Sequence, residues 1–292
     1  MMANAAWSGI ESMPSMEDDH YLEWKRLLEE RTGMVLPDER RSFLTTSLGI
    51  RMREVGFRDY RDYYNFILAG SEGAVEWTTL VDRLTVHETR FFRHSSSVKM
   101  IRELLLPEWM SQEELPKTLN VWSVGCSTGE EAYTLAMVLD DFRDTDHADY
   151  YYGITASDIS IASLAIGRKG VFHSRKLQDV DDAMRRKYFV RVDDTHFQVR
   201  DDLRKRVCFA QLNVLEMERK PFGKMHMIFC QNMLIYFDRE RRIEILDNLV
   251  KYLEPGGVLI LGAGEILGWN PPTLEKIVYN DTLAFRRLAA VK

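Results

Sequence analysis

Two glutamates open a predicted helix directly after a glycine-rich turn. In "VWSVGCSTGEEAYTLAM" (121–137), an apolar strand runs into the turn that begins at Gly125, and the helix starts with Glu130 and Glu131. The start of a helix is electrically positive and presents outward-pointing N–H groups, which makes it a common phosphate site. Carboxylates at this place would repel a pyrophosphate. The turn therefore predicts a ligand that carries hydroxyls, an ammonium group or another positive charge.

Polar residues also end or follow the next three predicted strands. Asp158 ends "YYGITASD", Asn213 and Val214 follow "RVCFAQ", and Asn232 and Met233 follow "MHMIFCQ". In open α/β sheets, ligands bind at the carboxyl ends of the strands, so these residues are expected to share one site. One acid and two amides suit a nucleoside with a free amino-acid tail better than a triphosphate. The predicted cofactor is S-adenosylmethionine.

Each of these features also has an ordinary structural explanation. The turn at 125–129 could be a simple strand-to-helix connection, and Asp158 could be the N-cap of the helix that follows it. Asn213 and Asn232 could be turn residues. Their joint placement at consecutive strand ends favours a shared ligand site.

A second group of residues lies in "LTVHETRFFRH" (84–94), where Glu88, Thr89 and Arg93 surround Phe91 and Phe92. The ordinary explanation is a connecting loop whose phenylalanines fill the core, and we expect this for at least one of them. The arginine suggests more. A guanidinium beside a sulfonium would be repelled unless it serves a carboxylate of the cofactor or of the substrate.

The elements that position these residues fall into a helical part and an α/β part. Residues 20–85 contain about four short segments with helical periodicity. From about residue 118, apolar strands alternate with helices, which predicts a mostly parallel, doubly wound sheet. The segment 171–200 is too long for a simple connection and predicts a small inserted subdomain.

The predicted domain organisation follows from this pattern. A flexible leader spans 1–19, an N-terminal helical domain 20–95 and a linker helix 96–117. The α/β domain, with its insertion, spans 118–292.

Composition excludes several classes of protein. The 292-residue chain has a net charge of −6, which argues against a nucleic-acid partner held by phosphate contacts. Its three cysteines are far apart in sequence, which fits a reducing compartment and predicts no bound metal. No apolar run reaches the roughly 20 residues of a membrane helix, and "MMANAAWSGIESMPSM" is not a secretory signal. We expect a cytoplasmic protein without membrane insertion.

Six ordered stretches together resemble the CheR-type chemoreceptor methyltransferases. They are "RTGMVLPDERR", "LTVHETRFFR", "VWSVGCSTGEEAYTLAM", "ASDISIASLAIGRKGVF", "FCQNMLIYFD" and "LEPGGVLILG". The resemblance extends from about residue 20 to 290. It implies an α/β fold of the class I, Rossmann-like type that uses S-adenosylmethionine, preceded by an all-helical domain and carrying a small inserted antiparallel β subdomain.

The resemblance also implies roles for matching residues. The implied cofactor contacts are His87, Thr89, Arg93, Gly125, Glu130 (amino-acid end), Asp158 (ribose), and Asn213, Val214, Asn232 and Met233 (adenosine). Tyr236 would lie near the transferred methyl group, and Arg93 and Tyr236 would be catalytic. His87 stands where the family usually has Asn, and Gln231 where it usually has Arg. These departures suggest a specialised paralogue, for example one that serves a chemosensory pathway for pilus-driven motility.

The implied reaction is methylation of glutamate side chains of chemoreceptors, with S-adenosylhomocysteine as the second product. A glutamate has an ordinary pKa near 4.3 and is ionised at neutral pH, so the nucleophile needs no general base. In-line positioning and exclusion of water would supply much of the rate. Arg93 could orient the glutamate, and Tyr236 could donate a hydrogen bond near the reacting centre.

The expected partner is the helical cytoplasmic domain of methyl-accepting chemoreceptors. Arg40, Arg41, Arg51 and Arg53 would offer it a basic docking face, although a solvated surface is the commoner fate of such charges. A monomer is expected. Two other functions stay open at this point: an O-methyltransferase for a small carboxylate or phenol, and a cofactor-binding regulator that has lost catalysis.

Overall fold

The computed structural model describes residues 15–85, 88–111, 117–146, 149–219 and 222–289. These residues divide into two compact units. The first contains the helical N-terminal part together with Tyr236–Asp238, and the second contains the remainder.

The first unit contains four α-helices, as the sequence predicts. They are α1 (Asp18–Thr32), α2 (Arg41–Val55), α3 (Tyr60–Leu68) and α4 (Gly70–Leu84). Helices α1 and α2 end at glycines in the left-handed region, Gly33 with a φ of 75° and Gly56 with a φ of 87°. Glycine is favoured there because it has no Cβ to clash with the backbone. The apolar faces of all four helices contribute to one core, whose largest enclosed side chains include Trp24, Leu44, Leu48, Tyr63, Ile67 and Leu80.

A buried ion pair joins three helices of this unit. Arg51 of α2 donates from Nε and Nη2 to the two carboxylate oxygens of Glu76 on α4, at 2.6 and 2.5 Å. The hydroxyl of Tyr63 on α3 donates to the same carboxylate at 2.7 Å. Burial, with the hydrogen bond to Glu76, raises the pKa of Tyr63 well above its usual range. The guanidinium of Arg51 is therefore held by contacts within the unit.

The four arginines that the sequence assigned to receptor docking do not share one face. Arg51 and Arg53 are two residues apart on α2, which places them about 160° apart around the helix. Arg41 pairs with Asp18 at 2.6 Å, and its guanidinium also lies over the ring of Tyr21. Closeness in sequence therefore does not place Arg51 and Arg53 on one side of α2, and receptor docking by these arginines stays a prediction.

The second unit contains ten strands. They are β1 (Thr118–Val124), β2 (Tyr151–Asp158), β3 (Val171–His173), β4 (Phe189–Arg191), β5 (His196–Val199), β6 (Val207–Gln211), β7 (Met225–Cys230), β8 (Leu253–Leu261), β9 (Leu274–Tyr279) and β10 (Thr282–Arg287). Its α-helices are α5 (Ser95–Met100), α6 (Leu106–Met110), α7 (Glu130–Thr145), α8 (Ile161–Lys169), α9 (Asp182–Tyr188), α10 (Asp201–Arg204) and α11 (Arg239–Lys251). A π-helical segment, Ile101–Leu105, connects α5 to α6.

The main sheet has seven strands in the order β6-β2-β1-β7-β8-β10-β9. The first five are parallel, and β10 runs antiparallel to both of its neighbours. This topology confirms the predicted class I α/β fold. Strand β9 is an addition that the sequence did not indicate, because this edge strand is mostly exposed and lacks an apolar run.

The predicted insertion is confirmed as a small antiparallel sheet in the order β3-β5-β4. It packs on α7 and on the loop before α5 through aromatic rings. Phe91 is fully buried and meets Phe172 and Phe189 edge-on, with centroids 5.0 and 5.3 Å apart. Tyr133 of α7 contacts Phe172 in the same way. The expectation that at least one phenylalanine of the 84–94 segment fills the core is confirmed.

Within the described ranges, no helix combines the length and the apolar character needed to cross a membrane.

The buried ion pair of the first unit predicts a large effect of Glu76→Ala. Removing the carboxylate leaves the Tyr63 hydroxyl without its acceptor and the Arg51 guanidinium with Glu54 as its remaining carboxylate partner. This should destabilise the unit by about 3 kcal/mol. Glu72→Ala is the matched control, because Glu72 is an exposed glutamate on the same helix. Urea unfolding followed by circular dichroism measures both variants, and equal stability would contradict a structural role for the pair.

Candidate functional site

Backbone hydrogen bonds hold three strand ends of the main sheet together. The N–H groups of Gly125 and Cys126, just after β1, donate to the carbonyl of Ser157 on β2 at 2.8 and 2.9 Å. The N–H of Leu212, just after β6, donates to the carbonyl of Asp158 at 2.9 Å. The carboxyl ends of β1, β2 and β6 therefore form one continuous edge.

The carboxylate of Asp158 connects two loops at this edge. Its Oδ2 accepts from the N–H of Ser127 at 2.7 Å, and its Oδ1 accepts from the N–H of Ser160 at 2.9 Å. The N-cap of α8 is Ser160, whose hydroxyl accepts from the N–H of Ser163 at 3.0 Å. The alternative in which Asp158 caps that helix is therefore wrong.

The turn between β1 and α7 depends on two glycines with positive φ. A Cβ on Gly125 (φ 71°) would lie 3.0 Å from Cβ and Cγ of Met233, and a Cβ on Gly129 (φ 95°) would lie 2.9 Å from the ring of Phe209. Both contacts are too close for a side chain at the glycine. Gly125 thus allows the loop after β7 to pack on the turn, which brings two sequence-predicted residues into contact.

Glu130 begins α7 and is fully buried. Its Oε2 accepts from the hydroxyl of Thr128 at 2.6 Å. Its Oε1 accepts no hydrogen bond but lies 3.2 Å from Nζ of Lys176. The same ammonium donates to the backbone carbonyl of Thr89. Lys176 thereby links Thr89 to Glu130. Sequence reasoning missed it because nothing in "HSRKLQD" distinguishes this lysine from an ordinary surface lysine.

Glu131 differs from its neighbour in its environment. Its carboxyl group is enclosed, although the residue as a whole is half-buried, and it accepts from the hydroxyl of Ser123 at 2.7 Å. Burial raises the pKa of Glu131 to about 8, with a further contribution from the nearby Glu265 carboxylate and an opposing one from Arg93. At neutral pH this carboxyl is therefore largely protonated and contributes little charge.

Glu265 is a second structural carboxyl group that the sequence analysis missed. It is buried, and it accepts from the N–H of Leu234 at 3.1 Å and from the N–H of Gly262 at 2.8 Å. Burial raises its pKa above the ordinary value. Glu265 thereby fixes the loop after β7 to the loop after β8. Its only sequence signal is a glutamate shortly after a buried strand, which is weak.

Asn232 has a φ of 61°, which is compatible with its alternative role as a turn residue. Its Oδ1 lies 2.5 Å from Nε2 of His94. Burial lowers the pKa of His94. Because an amide oxygen can only accept, the imidazole is the donor in this bond. This bond fixes the orientation of the Asn232 amide.

Gln231 is buried, and its amide nitrogen donates to Oγ of Ser97 and to the carbonyl of Leu261, both at 2.9 Å. Its role in the structure is to hold α5 against the end of β8. Because the side chain is enclosed, the glutamine that stands here in place of the family's usual arginine presents no group to a partner surface.

Asn213 and Val214 follow β6. The Oδ1 of Asn213 accepts from the N–H of Leu215 at 3.1 Å, which is a turn-forming bond. Val214 is buried.

The remaining predicted residues are Arg93, Tyr236 and His87. Arg93 is half-buried and donates from Nη1 to the carbonyl of Glu88 at 2.7 Å. Tyr236 belongs to the first unit, where its carbonyl accepts from the N–H of Val35 at 2.8 Å. His87 lies outside the described residues.

The edge as a whole presents carboxylates where a phosphate site would present N–H groups alone. Both carboxylates bond to the turn at 125–129: Asp158 accepts from the N–H of Ser127, and Glu130 accepts from the hydroxyl of Thr128. Among the residues that the structure describes, no cluster of three or more His, Cys, Asp or Glu side chains could hold a metal ion. The arrangement suits an organic ligand with a cationic part and hydroxyl groups.

Comparison with known families agrees with this chemistry. Residues 87–282 match the model described as CheR methyltransferase, SAM binding domain. Residues 19–85 match CheR methyltransferase, all-alpha domain. The chain belongs to the CheR methyltransferase family. It is therefore a methyltransferase, and its cofactor is S-adenosylmethionine, as predicted.

Two relatives illustrate how far the similarity extends. The chain is 32% identical over 254 residues to a chemotaxis protein methyltransferase of Escherichia coli, which covers 86% of this chain and 85% of the relative. It is 29% identical over 248 residues to a chemotaxis protein methyltransferase of Borreliella burgdorferi, which covers 84% of this chain and 87% of the relative.

The environment of Glu131 predicts a pH-dependent difference between the methyltransferase and its Glu131→Gln variant. The folded-state pKa of about 8 lies above the ordinary value of 4.5. Between these pH values the carboxyl group therefore holds its proton in the folded protein and loses it in the unfolded protein. The contribution of Glu131 to stability is complete below the ordinary pKa and is lost as the pH rises through about 8. Relative to the glutamine variant, the wild-type protein should lose up to about 1.4 kcal/mol per pH unit in this window.

Urea unfolding of both proteins at about pH 5 and pH 8 measures this difference. Glu275→Gln, at an exposed position on β9, is the control and should leave the pH dependence unchanged. A constant difference between wild type and Glu131→Gln across the window would contradict an enclosed, protonated carboxyl group.

Proposed function

We propose that this methyltransferase transfers a methyl group from S-adenosylmethionine to glutamate side chains of methyl-accepting chemoreceptors. The products would be glutamyl methyl esters and S-adenosylhomocysteine. The relatives described above are chemotaxis protein methyltransferases. The observation that carries the proposal is that the carboxylates of Glu130 and Asp158 both bond to one strand-end turn.

Glu130 would bind the ammonium group of the cofactor's amino-acid end. Its Oε1 is buried and lies 3.2 Å from Nζ of Lys176, so an ammonium group already occupies this position. A ligand ammonium supplies donors and the opposite charge. Asp158 would accept hydrogen bonds from the ribose hydroxyls. The N–H groups of Ser127 and Ser160 hold its carboxylate in position for this role.

Four residues at the neighbouring strand ends would line the adenosine. Asn213 and Val214 follow β6, and Asn232 and Met233 follow β7. The His94 bond leaves the amide nitrogen of Asn232 as a hydrogen-bond donor. Thr89 and His87 would contact the cofactor from the loop before α5, and Gly125 would allow close approach of the backbone.

The reaction requires few protein groups. The bound cofactor supplies an electrophilic methyl group, and a glutamate with an ordinary pKa near 4.3 is already ionised. The protein then has to position the carboxylate in line with the methyl group and keep water out. Arg93 would hold the substrate carboxylate through charge-assisted hydrogen bonds, and the hydroxyl of Tyr236 would donate near the reacting centre.

The helical first unit would dock on the cytoplasmic helical domain of the receptor. Such a surface rich in glutamate attracts exposed arginines, and Arg40 and Arg53 are exposed. Arg41 would contribute if it exchanged Asp18 for a receptor carboxylate. Arg51 is excluded from this role by its bonds to Glu76. We propose a monomer that acts in the cytoplasm.

A methyl-transfer assay tests the proposed reaction. The protein is mixed with radiolabelled S-adenosylmethionine and membranes that contain the organism's chemoreceptors, and the labelled product is treated with base. Base-labile radioactive methanol from a receptor band is the expected result. Cofactor binding without receptor labelling would contradict the proposal and would favour a small-molecule substrate or a regulator without catalysis.

The role of Asp158 predicts a loss of cofactor affinity in Asp158→Ala. We expect the Kd of S-adenosylhomocysteine to rise at least about tenfold, because ribose contacts and the fixed position of the turn are both lost. Asp193→Ala is the matched control, since Asp193 also accepts backbone N–H groups, from Thr195 and His196, but lies in a turn of the small sheet. Isothermal titration calorimetry measures both variants, and an unchanged Kd for Asp158→Ala would contradict the assigned role.

A further inference from the structure

Lys176 connects three separate segments of the second unit at the predicted cofactor site. It lies in the 3₁₀ segment Ser174–Leu177 of the inserted subdomain. Its ammonium lies 3.2 Å from Oε1 of Glu130 and donates to the carbonyl of Thr89. The inserted subdomain thereby places a positive charge on the carboxylate that opens α7.

The two partners of this ion pair differ in their freedom to move. Glu130 has an exposed fraction of 0%, whereas the side chain of Lys176 is 32% exposed. The glutamate is also held by the hydroxyl of Thr128 at 2.6 Å. A lysine ammonium on its flexible four-carbon stem can move into water at little cost. If the pair separates, the lysine is the partner that leaves.

The chemistry of Glu130 Oε1 makes the pair exchangeable. The oxygen lies within ion-pair distance of Lys176 but accepts no hydrogen bond in this geometry. The proposed ligand group at this oxygen is also a primary ammonium. One buried carboxylate oxygen would thus be approached by two ammonium groups. These groups repel each other because they carry the same charge.

We propose that Lys176 is an internal counter-ion of Glu130 that the cofactor's ammonium displaces, so that Lys176 limits the affinity for the cofactor. This inference rests on the proposed function, in which Glu130 binds the amino-acid end of the cofactor. The internal ion pair keeps the buried carboxylate neutralised. Ligands without an ammonium group leave the pair intact and gain nothing from its removal.

The displacement also concerns the attachment of the inserted subdomain. A second lysine of the subdomain, Lys187, pairs with Asp141 and Asp144 near the other end of α7, both at 3.1 Å. The aromatic residues Phe172 and Phe189, which contact Phe91, flank the two lysines in sequence. Displacement of Lys176 therefore releases one end of the subdomain's polar attachment to α7, while the Lys187 pairs and the aromatic packing remain.

Lys176→Met tests the inference, because methionine keeps much of the length of the side chain without its charge. We expect S-adenosylhomocysteine to bind about tenfold more tightly to the variant than to the wild-type protein. 5′-Methylthioadenosine, which lacks the amino-acid tail, should bind both proteins equally. Lys187→Met is the matched control and should leave both Kd values within about twofold of the wild-type values.

Calorimetry distinguishes the possible results. Unchanged or weaker binding of S-adenosylhomocysteine to Lys176→Met would overturn the inference, and so would an equal gain for 5′-methylthioadenosine. If S-adenosylhomocysteine does not bind the wild-type protein at all, the proposed function fails instead.

A second measurement uses the wild-type protein and does not depend on the folding of a variant. Lysine acetylation with a water-soluble reagent is followed by mass spectrometry, with and without saturating S-adenosylhomocysteine. Displacement predicts that Lys176 reacts several-fold faster with the ligand, whereas Lys187 reacts at the same rate. Equal or slower reaction of Lys176 in the presence of the ligand would overturn the inference.

Discussion

The hydrogen bond from the N–H of Ser127 to the carboxylate of Asp158 is the interaction on which the site depends. It joins the turn after β1 to the end of β2 at 2.7 Å, and it holds Ser127 in the left-handed region with a φ of 49°. This conformation, with the positive φ of Gly125 and Gly129, directs the chain into α7 so that Glu130 begins the helix. Without the bond, the carboxylates of Glu130 and Asp158 would no longer be held at a fixed distance from each other.

The same edge shows how one fold selects between ligands of opposite charge. A doubly wound sheet offers the N-terminus of a helix at the end of its first strand, and this position usually attracts anions. Here the carboxylate of Glu130 occupies it, neutralised by Lys176, and Asp158 takes the N–H of Ser127 that a phosphate would otherwise use. Burial raises the pKa of both Glu131 and Glu265. With a pKa of about 8, Glu131 adds little negative charge to this edge at neutral pH.

The sequence predicted the fold through features that depend on local periodicity. The alternating strands and helices, the four N-terminal helices and the overlong connection at 171–200 all have counterparts in the structure. The contacts of Lys176, Glu265 and His94 could not be predicted, because each joins segments that are distant along the chain and ordinary in composition. The docking role of the arginines stays a prediction, although the helical period separates Arg51 from Arg53 around α2. Strand β9 was missed because an exposed edge strand carries little apolar signal.

In the proposed site, the carboxylate of Glu130 binds the ammonium group of the cofactor and the carboxylate of Asp158 binds its ribose hydroxyls. A crystal structure of the protein with S-adenosylhomocysteine tests it most directly. The account predicts the ligand's ammonium within hydrogen-bond distance of Glu130 Oε1, with the ribose hydroxyls on Asp158 and the adenosine between the ends of β6 and β7. An amino-acid end bound away from Glu130, or a ribose that does not contact Asp158, would contradict it.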